Sequence, residues 1–370
     1  MTRARIFTPV FAICLLLTAV AALVACSDKT SPPIDGKTGK TLRITFQNAE
    51  TTAVNADKRR RVLEAVKRLG YHPNAIAQSL VRGKSMTIGI VTGDISSAYY
   101  SHALGGIEQA FINTGYHPLF ASANWNSHEE QAAIEMLLAR QIDGLIVMGG
   151  YSNDEFLTNL TNRLPFVLVG RIVPGIENHC MATDNIQGGF LATQHLISLG
   201  HRSIAHITGS KTNTDAVARL QGYRQALETN GIPFEPNLVR EGDFLERSGM
   251  MAIESLLMQH SNFSAVFTAN DQMAVGARLA LGRHGLRVPD DVSLIGYDDL
   301  PTSQYLYPPL TTVHQPMNEM GRDAVRHVIC LLKGESLKLE VPNLSLSIRE
   351  STRRVGIERV RSALVGMNTS

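Results

Sequence analysis

Cysteine is scarce in this chain, with four residues among 370. Only Cys180 and Cys330 fall in the body of the chain, and Cys330 sits in an apolar run, so two reduced thiols are the simplest interpretation. No group of Cys and His residues has the spacing of a zinc site. These absences argue against a disulfide framework and against a metal site.

Motifs of catalysis are missing as well. The sequence has no nucleophile elbow, no His-Glu-x-x-His motif, no paired carboxylates at a marked spacing and no cofactor fingerprint. The histidines are scattered, and His128, His195 and His327, on or beside helical stretches, are expected to be solvated. The sequence therefore predicts a protein that is not an enzyme and that uses no cofactor.

Positive charge is concentrated at the N-terminal end. Residues 1–84 contain 14 Lys or Arg residues against five acidic ones, whereas the whole chain has a net charge of only +2, so the remainder is acidic. The overall composition, 44% hydrophobic and 18% charged, is typical of a globular protein, and the length suggests two domains. A basic end in front of an acidic body indicates an anionic partner there, either nucleic acid or lipid headgroups.

The first 26 residues have the pattern of an export signal. Arg3 and Arg5 precede twenty uncharged residues, and small residues then lead to Cys26 in the ending Leu-Val-Ala-Cys. This ending resembles a bacterial lipobox, in which the cysteine is acylated. A plain transmembrane helix is the alternative, since about twenty apolar residues can span a bilayer. The pattern favours an export signal over 1–26, a membrane anchor at Cys26 on the periplasmic side, and a tether over 27–55.

A basic amphipathic helix is predicted over 57–70, with Gly70 ending it. A short helix that begins at Pro73 follows, and Arg-Gly-Lys-Ser comes directly after it. The apolar side chains that share one face of the first helix are Val62, Leu63, Val66 and Leu69.

Beyond Met86, short apolar runs alternate with helical patterns such as those at 129–140 and 188–199. Continuous apolar runs bounded by turn residues predict strands of a buried parallel sheet. Regular alternation of strand and helix predicts an α/β fold with doubly wound parallel sheets, whose ligands bind at the carboxyl ends of the strands. No Gly-x-Gly-x-x-Gly follows any of these strands, which argues against a dinucleotide ligand. The predicted strands are 87–91, 118–121, 144–148, 166–169, 204–207, 265–267 and 292–295.

These segments resemble a known family. Residues 59–91, RRRVLEAVKRLGYHPNAIAQSLVRGKSMTIGIV, are similar to the end of the headpiece and the hinge of the LacI/GalR family of sugar-responsive transcriptional regulators. The resemblance continues through the body and is strongest to the galactose-responsive members. It is carried by RIVPGIENHCMATDN from Arg171, GHRSIAHITGS from Gly200, ANDQMAVGA from Ala269 and VPDDVSLIGYDDL from Val288.

The resemblance implies two similar lobes of the periplasmic-binding-protein-like type I, joined by three crossings near 181–184, 313–315 and 344–347. It also implies a homodimer formed through the N-terminal lobe. The implied domains are a degenerate helix-turn-helix remnant within 27–55, a basic helix and hinge helix over 56–85, an N-terminal lobe of 86–182 plus 314–344, a C-terminal lobe of 185–312 plus 345–354, and a tail over 355–370.

A galactose-like sugar between the lobes is the implied ligand. Arg219 matches the family's ligand arginine, whose planar fork can engage two adjacent hydroxyls. Asp298 matches the ligand-contacting acid and Phe244 the stacking aromatic, while Asn270 either contacts the ligand or caps a helix. Gly170 stands where related proteins often carry Asn or Asp, so one ligand hydrogen bond is expected to be missing. The other expected contacts are Ser96, Tyr99, Tyr100, Asn124, Trp125 and Gln315.

Operator DNA is the second implied partner. In the family the hinge helix enters the minor groove, and Leu80 matches the wedging residue. The sequence departs from the family before this point, because a tether and an apparent export signal stand where a helix-turn-helix would read the major groove. Three interpretations stay open: a cytoplasmic regulator, an exported lipid-anchored sugar-binding protein that has lost DNA binding, and a repressor with a grafted N-terminus. The remaining expected DNA contacts are Arg59, Asn74, Ala77 and Gln78.

Overall fold

The computed structural model describes residues 56–70, 79, 83–335, 339, 341 and 343–355. The chain divides into two units, residues 1–72 and residues 73–370. Within the described ranges, no helix combines the length and the apolar character that crossing a bilayer requires.

The described part of the first unit is helix α1, Ala56–Leu69. It agrees with the helix predicted over 57–70, and Gly70 follows it with a φ of 59°, a left-handed conformation that suits a helix end. The apolar side chains Val62, Leu63 and Leu69 are exposed on its surface.

The first lobe of the second unit is built on a five-stranded parallel sheet in the order β2-β1-β3-β4-β5. Both faces of the sheet are covered: Ile88 and Ile90 point into one apolar cluster and Val91 into another, which is the alternation expected of a strand buried on both sides. The strands are β1 Thr87–Thr92, β2 His117–Ser122, β3 Gly144–Met148, β4 Phe166–Val169 and β5 Cys180–Met181. Three helices of this part of the chain are α2 Ala98–Phe111, α3 Ser127–Ala139 and α4 Asp154–Leu160.

The second lobe contains a six-stranded sheet in the order β11-β10-β9-β8-β6-β7, in which only β11 runs antiparallel to its neighbour. The strands are β6 Ile204–Thr208, β7 Val239–Glu241, β8 Ala265–Thr268, β9 Ser293–Asp298, β10 Thr311–His314 and β11 Ser345–Ser347. The helices are α5 Asn185–Ser198, α6 Thr214–Thr229, α7 Glu246–Met258 and α8 Asp271–Arg283. Short 3-10 turns lie at Glu177–His179, Pro236–Leu238 and Pro301–Tyr305.

The chain passes between the lobes three times. It leaves the first sheet after β5, and it returns after β10 to form helix α9, Met317–Leu332, which packs against α2, β3 and β4. It then crosses again to β11, at the edge of the second sheet. The predicted α/β class with two parallel-sheet lobes is confirmed.

All seven strands predicted from apolar runs are present, with bounds that differ by a few residues at most. Four short strands have no predicted apolar run: β5, β7, β10 and β11. They have two to four residues each, and β7 and β10 are largely polar, Val-Arg-Glu and Thr-Thr-Val-His. Hydrogen bonding to a neighbouring strand, rather than an apolar run, defines them.

The solvated position predicted for His327 is wrong. His327 is only 2% exposed, because it lies on the buried face of α9 beside Ala324 and Val328. Burial lowers the pKa of this imidazole, and nearby His179 lowers it further. Of the other two histidines, His128 is exposed, whereas His195 is half-buried and hydrogen-bonds to Thr352 Oγ1 at 2.9 Å. Cys180 and Cys330 are free thiols.

Helices α5 and α6 approach closely because each has a glycine where they cross. A Cβ added to Gly189 would lie 2.2 Å from the carbonyl oxygen of Arg219, and one added to Gly222 would lie 2.0 Å from the carbonyl oxygen of Ile186. Backbone therefore meets backbone at this crossing. The approach holds the N-terminal half of α6, which carries Arg219, against α5.

Substitution Gly222→Ala should destabilise the protein by about 1–3 kcal/mol, because the added methyl group has to push two helix backbones apart. Gly282→Ala is the matched control: it is also helical, and a Cβ there meets nothing within 4 Å. That change should be neutral or should stabilise by up to about 1 kcal/mol. Urea unfolding followed by circular dichroism measures both, and equal stability of the two variants would contradict the argument.

Candidate functional site

A cleft between the two lobes encloses a cavity of about 840 Å³. Its walls come from the segments after β1, β2, β3 and β4 on one side and after β6, β7, β8 and β9 on the other, as expected for the carboxyl ends of parallel strands. Of the ten ligand contacts predicted from the sequence, nine line this cavity: Ser96, Tyr99, Tyr100, Trp125, Arg219, Phe244, Asn270, Asp298 and Gln315.

Arg219 is held by several contacts in the cavity wall. It is 3% exposed; its Nε donates to Asn185 Oδ1 at 2.8 Å and its Nη1 donates to the carbonyl oxygen of Ala269. The guanidinium carbon lies 3.8 Å from the centre of the Tyr297 ring, a cation–π contact. These contacts fix the fork of donors before any ligand arrives.

Two carboxylates surround this guanidinium. Asp298 Oδ1 lies 3.8 Å from Arg219 Nη1 and accepts a hydrogen bond from Gln315 Nε2 at 2.7 Å. Burial raises the pKa of Asp298 to about 7, although the positive charge of Arg219 opposes the rise. Asp215 accepts from Asn185 Nδ2 at 3.1 Å, and its pKa is also raised by burial against the effect of Arg219. The cavity thus holds a fixed cation between two acceptors.

Asn270 is a helix cap and a cavity residue at once. Its Oδ1 accepts from the backbone N–H of Met273 at the start of α8, and its Nδ2 donates to the carbonyl oxygen of Phe244, both at 2.9 Å. One amide hydrogen and one lone pair are left for a ligand. The bond to Phe244 also ties the loop after β7 to α8, which places the half-buried Phe244 ring over Gly209.

Four aromatic side chains form the opposite wall, here called the aromatic wall: Tyr99, Tyr100, Trp125 and Tyr151. Tyr100 is buried and stacks on Trp125, with ring centres 5.3 Å apart and planes at 26°. Tyr151 meets Trp125 edge-on at 5.8 Å. Trp125 itself is 47% exposed.

Asn124 is the one predicted ligand contact that does not line the cavity. Its exposed side chain donates to the carboxylate of Glu129 in the first turn of α3, which holds it outside. Ser96 does line the cavity, but its hydroxyl donates to Asp94 at 2.8 Å. Gly170 is part of the wall and adds no side chain there, with a φ of 117°.

Comparison with known proteins identifies the family. Residues 193–352 match the model of the periplasmic binding protein-like domain. The HTH-type transcriptional regulator GalR of Escherichia coli is 38% identical over 284 residues, which are 76% of this chain and 82% of that protein. This chain belongs to the LacI/GalR family of transcriptional regulators.

Solved structures of family members have the same fold. The lac repressor dimer bound to operator and the anti-inducer ONPF is 29% identical, with a TM-score of 0.73, and the match covers 82% of this chain and 92% of that one. The complex of the transcriptional regulator CelR with cellobiose is 32% identical, with a TM-score of 0.65, and the match covers 81% and 92%.

The segment predicted to contact DNA falls largely outside the described residues. Arg59 lies within α1. The residues outside are Cys26, Asn74, Ala77, Gln78 and Leu80. The minor-groove wedge and the lipidation site therefore stay predictions.

The cavity residues that reasoning from the sequence missed include Tyr151, Asn185 and Asp215. Asp215 could have been found, since it stands four residues before Arg219 and therefore on the same helix face. Tyr151 could also have been found, because it follows a predicted strand, as the predicted contacts do. Asn185 gives no such signal: it lies in the first turn of α5, and only the crossing of α5 and α6 brings it to Arg219.

Asp299, next to the cavity residue Asp298, holds the joint between the lobes together. Its carboxylate accepts from His314 Nδ1 at 2.9 Å, Ser347 Oγ at 2.8 Å and Arg349 Nη2 at 2.6 Å. Burial raises the pKa of this carboxyl, but the three hydrogen bonds outweigh burial and hold the pKa well below its usual range. His314 ends β10 and Ser347 ends β11, so Asp299 joins two of the three crossings.

Asp299→Ala should lower the free energy of unfolding by about 1.5–3 kcal/mol at neutral pH, because hydrogen bonds to a charged acceptor are lost. Asp290→Ala, which removes an exposed partner of Arg287 and Arg353, should cost less than about 1 kcal/mol. The contribution of Asp299 is present above its unfolded pKa of about 4 and is lost as the pH falls through the lower folded pKa, so the difference from wild type should shrink in acid. Urea unfolding at several pH values measures this; a difference that grows in acid would contradict it.

Proposed function

We propose that this chain is a sugar-responsive transcriptional regulator whose body binds a galactose-like sugar between the lobes and thereby changes its affinity for DNA. One observation carries the proposal: a buried guanidinium, two carboxylates and the amides around them converge on a cavity at the joint of two lobes. This set is called the Arg219 cluster below and consists of Asn185, Asp215, Arg219, Asn270, Asp298 and Gln315.

The chemistry of the Arg219 cluster suits a sugar. A sugar hydroxyl both donates and accepts: Asp215 and Asp298 can accept from it, Arg219 can donate to it, and the amides can do either. The half-buried Phe244 ring offers an apolar surface for the C–H face of the sugar ring. The CelR structure, a family member with bound cellobiose, supports a carbohydrate ligand. Similarity to GalR supports a galactose-like one.

The joint offers a route from ligand to DNA affinity. Asp298 binds Gln315 at the second crossing, and Gln315 Oε1 in turn accepts from Thr183 Oγ1 at the first crossing, at 3.2 Å. A sugar that contacts Asp298 therefore acts on the hydrogen bonds that join the lobes. If sugar binds one arrangement of the two lobes more tightly than another, it shifts the population towards that arrangement. The hinge segment changes its position together with the lobes. The proposal includes no chemical step and no cofactor.

Operator DNA and a second copy of this chain are the proposed partners. The solved lac repressor is a dimer on its operator. A dimer would present two basic segments, each containing α1, to the two halves of a palindromic site. In the cell, such a regulator would act in the cytoplasm.

Residues 1–26 favour a second function, that of an exported and lipid-anchored sugar-binding protein. The same cavity would then hold sugar outside the inner membrane, and DNA would not be its partner. Cell fractionation with palmitate labelling separates the two functions. Label on Cys26 in the membrane fraction supports the second, and unlabelled soluble protein supports the first.

Sugar binding should survive deletion of residues 1–85, because every proposed contact lies in the body.

Arg219→Ala should weaken galactose binding by more than about tenfold, since a charged hydrogen-bond partner contributes about 1.5–3 kcal/mol. Arg247→Ala, at an exposed arginine of α7, is the control and should not change the affinity. Calorimetry with hexoses measures these affinities; a folded body that binds no hexose, pentose or glycoside would refute the proposal.

DNA binding by residues 27–370 is expected to be weak. Phosphate contacts alone give a dissociation constant on the order of 10⁻⁴ to 10⁻⁶ M at physiological salt, which weakens steeply as salt rises. Discrimination of bases needs side chains placed in the major groove, and residues 27–55 contain only a degenerate remnant of such a reader. A gel shift with a palindromic operator measures this. Nanomolar binding to the operator that is released by sugar would refute the expectation of weak DNA binding. It would support the proposed regulator function.

A further inference from the structure

Each lobe carries one aromatic ring that rests on a glycine at the carboxyl end of its sheet. In the first lobe, Trp125 comes three residues after β2, and its ring covers Gly93, which follows β1. In the second lobe, Phe244 comes three residues after β7, and its ring covers Gly209, which follows β6. Because β1 with β2 and β6 with β7 are both parallel pairs, the two rings hold equivalent positions in the two lobes.

Both rings depend on close approach to the backbone. A Cβ at Gly93 would lie 2.8 Å from the indole, and one at Gly209 would lie 2.3 Å from the phenyl ring. Trp125 and Phe244 also have φ values of 58° and 69°, in the left-handed region that is costly for a residue with a Cβ. The two lobes therefore present their rings with the same backbone conformation and the same close approach to a glycine.

Trp125 contributes little to the core of its lobe. It is 47% exposed, whereas Tyr100 behind it is 2% exposed. A tryptophan that served only to fill the core would be largely buried. Its free apolar surface lies instead in the cavity wall.

A buried carboxylate fixes the neighbour of Trp125. Glu130, which is 0% exposed, accepts the backbone N–H groups of Tyr151 and Ser152, both at 2.9 Å. The hydroxyl of Tyr151 is also 3.3 Å from that of Tyr100. The rings of Trp125 and Tyr151, which meet edge-on, therefore form a rigid corner of the cavity wall.

The second lobe already has what one sugar ring needs. The Arg219 cluster supplies donors and acceptors, and Phe244, tied to Asn270 by a hydrogen bond, supplies the apolar surface. The corner of Trp125 and Tyr151 belongs to the other lobe and is surplus to that need. A cavity of about 840 Å³ is also near the upper end of the roughly 300–1,000 Å³ typical of sites for drug-sized ligands, which are larger than one hexose.

We propose that the effector is a glycoside with two rings: a sugar ring held by the Arg219 cluster and Phe244, and a second ring stacked on Trp125 beside Tyr151. The inference rests on the proposed sugar-binding function and names its ligand class. A flat apolar face is what the corner recognises, and both a second sugar ring and an aromatic aglycone have one.

Calorimetry of the full chain with galactose, methyl galactoside, lactose and nitrophenyl galactoside tests this proposal. At least one of the two-ring ligands should bind about tenfold more tightly than galactose, the gain expected from one aromatic stack. Lactose and nitrophenyl galactoside distinguish a sugar ring from an aryl ring as the second ring. In Trp125→Ala the ratio of the affinity for the two-ring ligand to the affinity for galactose should fall towards one. Trp125→Phe should keep most of this ratio. Tyr305→Ala, at an exposed tyrosine outside the cavity, should leave the ratio unchanged.

Fluorescence gives an independent measurement, because Trp125 is the single tryptophan of the chain. A two-ring ligand should shift or quench its emission more than saturating galactose does. Equal affinities for galactose and all glycosides, or equal losses for both in a folded Trp125→Ala variant, would overturn this inference and leave the proposed function standing. Binding of no sugar at all would overturn both.

Discussion

Two adjacent carboxylates at the end of β9, Asp298 and Asp299, are the constraint on which the cavity and the joint between the lobes both depend. Both have left-handed backbone, with φ values of 110° and 57°, and they bind different partners. Asp298 faces the cavity and binds Gln315, while Asp299 binds His314, Ser347 and Arg349. Because His314 and Gln315 are neighbours on the second crossing, whatever changes the surroundings of Asp298 acts on the segment that joins the lobes.

The buried charges of Arg219 and Asp298 need hydrogen-bond or ionic partners close to them. Arg219 lies over Tyr297 and donates to Asn185 and to the backbone, so these contacts offset the cost of its desolvation. Asn185 is within reach because glycines let α5 and α6 touch. Burial raises the pKa of Asp298, and a hydroxyl that donates to this carboxylate favours its charged form. The cavity wall is therefore a polar surface that is organised around buried charge.

Sequence reasoning reached most of this architecture for physical reasons that can be named. Strands such as β3 and β9 are buried on both faces, so their apolar runs are continuous and easily read. Arg219 and Asp298 were found through family resemblance, and the strand-end rule placed them in a cleft. Asn185 and the burial of His327 could not be found this way, because both follow from how one helix packs on another element. The side chain of Asn124 lies outside the cavity because it donates to Glu129, five residues later. No rule of sequence spacing predicts this contact.

The division of ligand contacts between the lobes bears directly on regulation. A ligand shifts an equilibrium between two conformations only by the difference in its affinity for them. A molecule held by the Arg219 cluster alone contacts the second lobe and the crossing residue Gln315, so it acts on the joint only through the Asp298–Gln315 hydrogen bond. A molecule that also reaches Trp125 spans the cleft. It makes all of its contacts in only one arrangement of the two lobes. The two-ring ligand proposed above would therefore supply selectivity and the free energy for a conformational change through the same contacts.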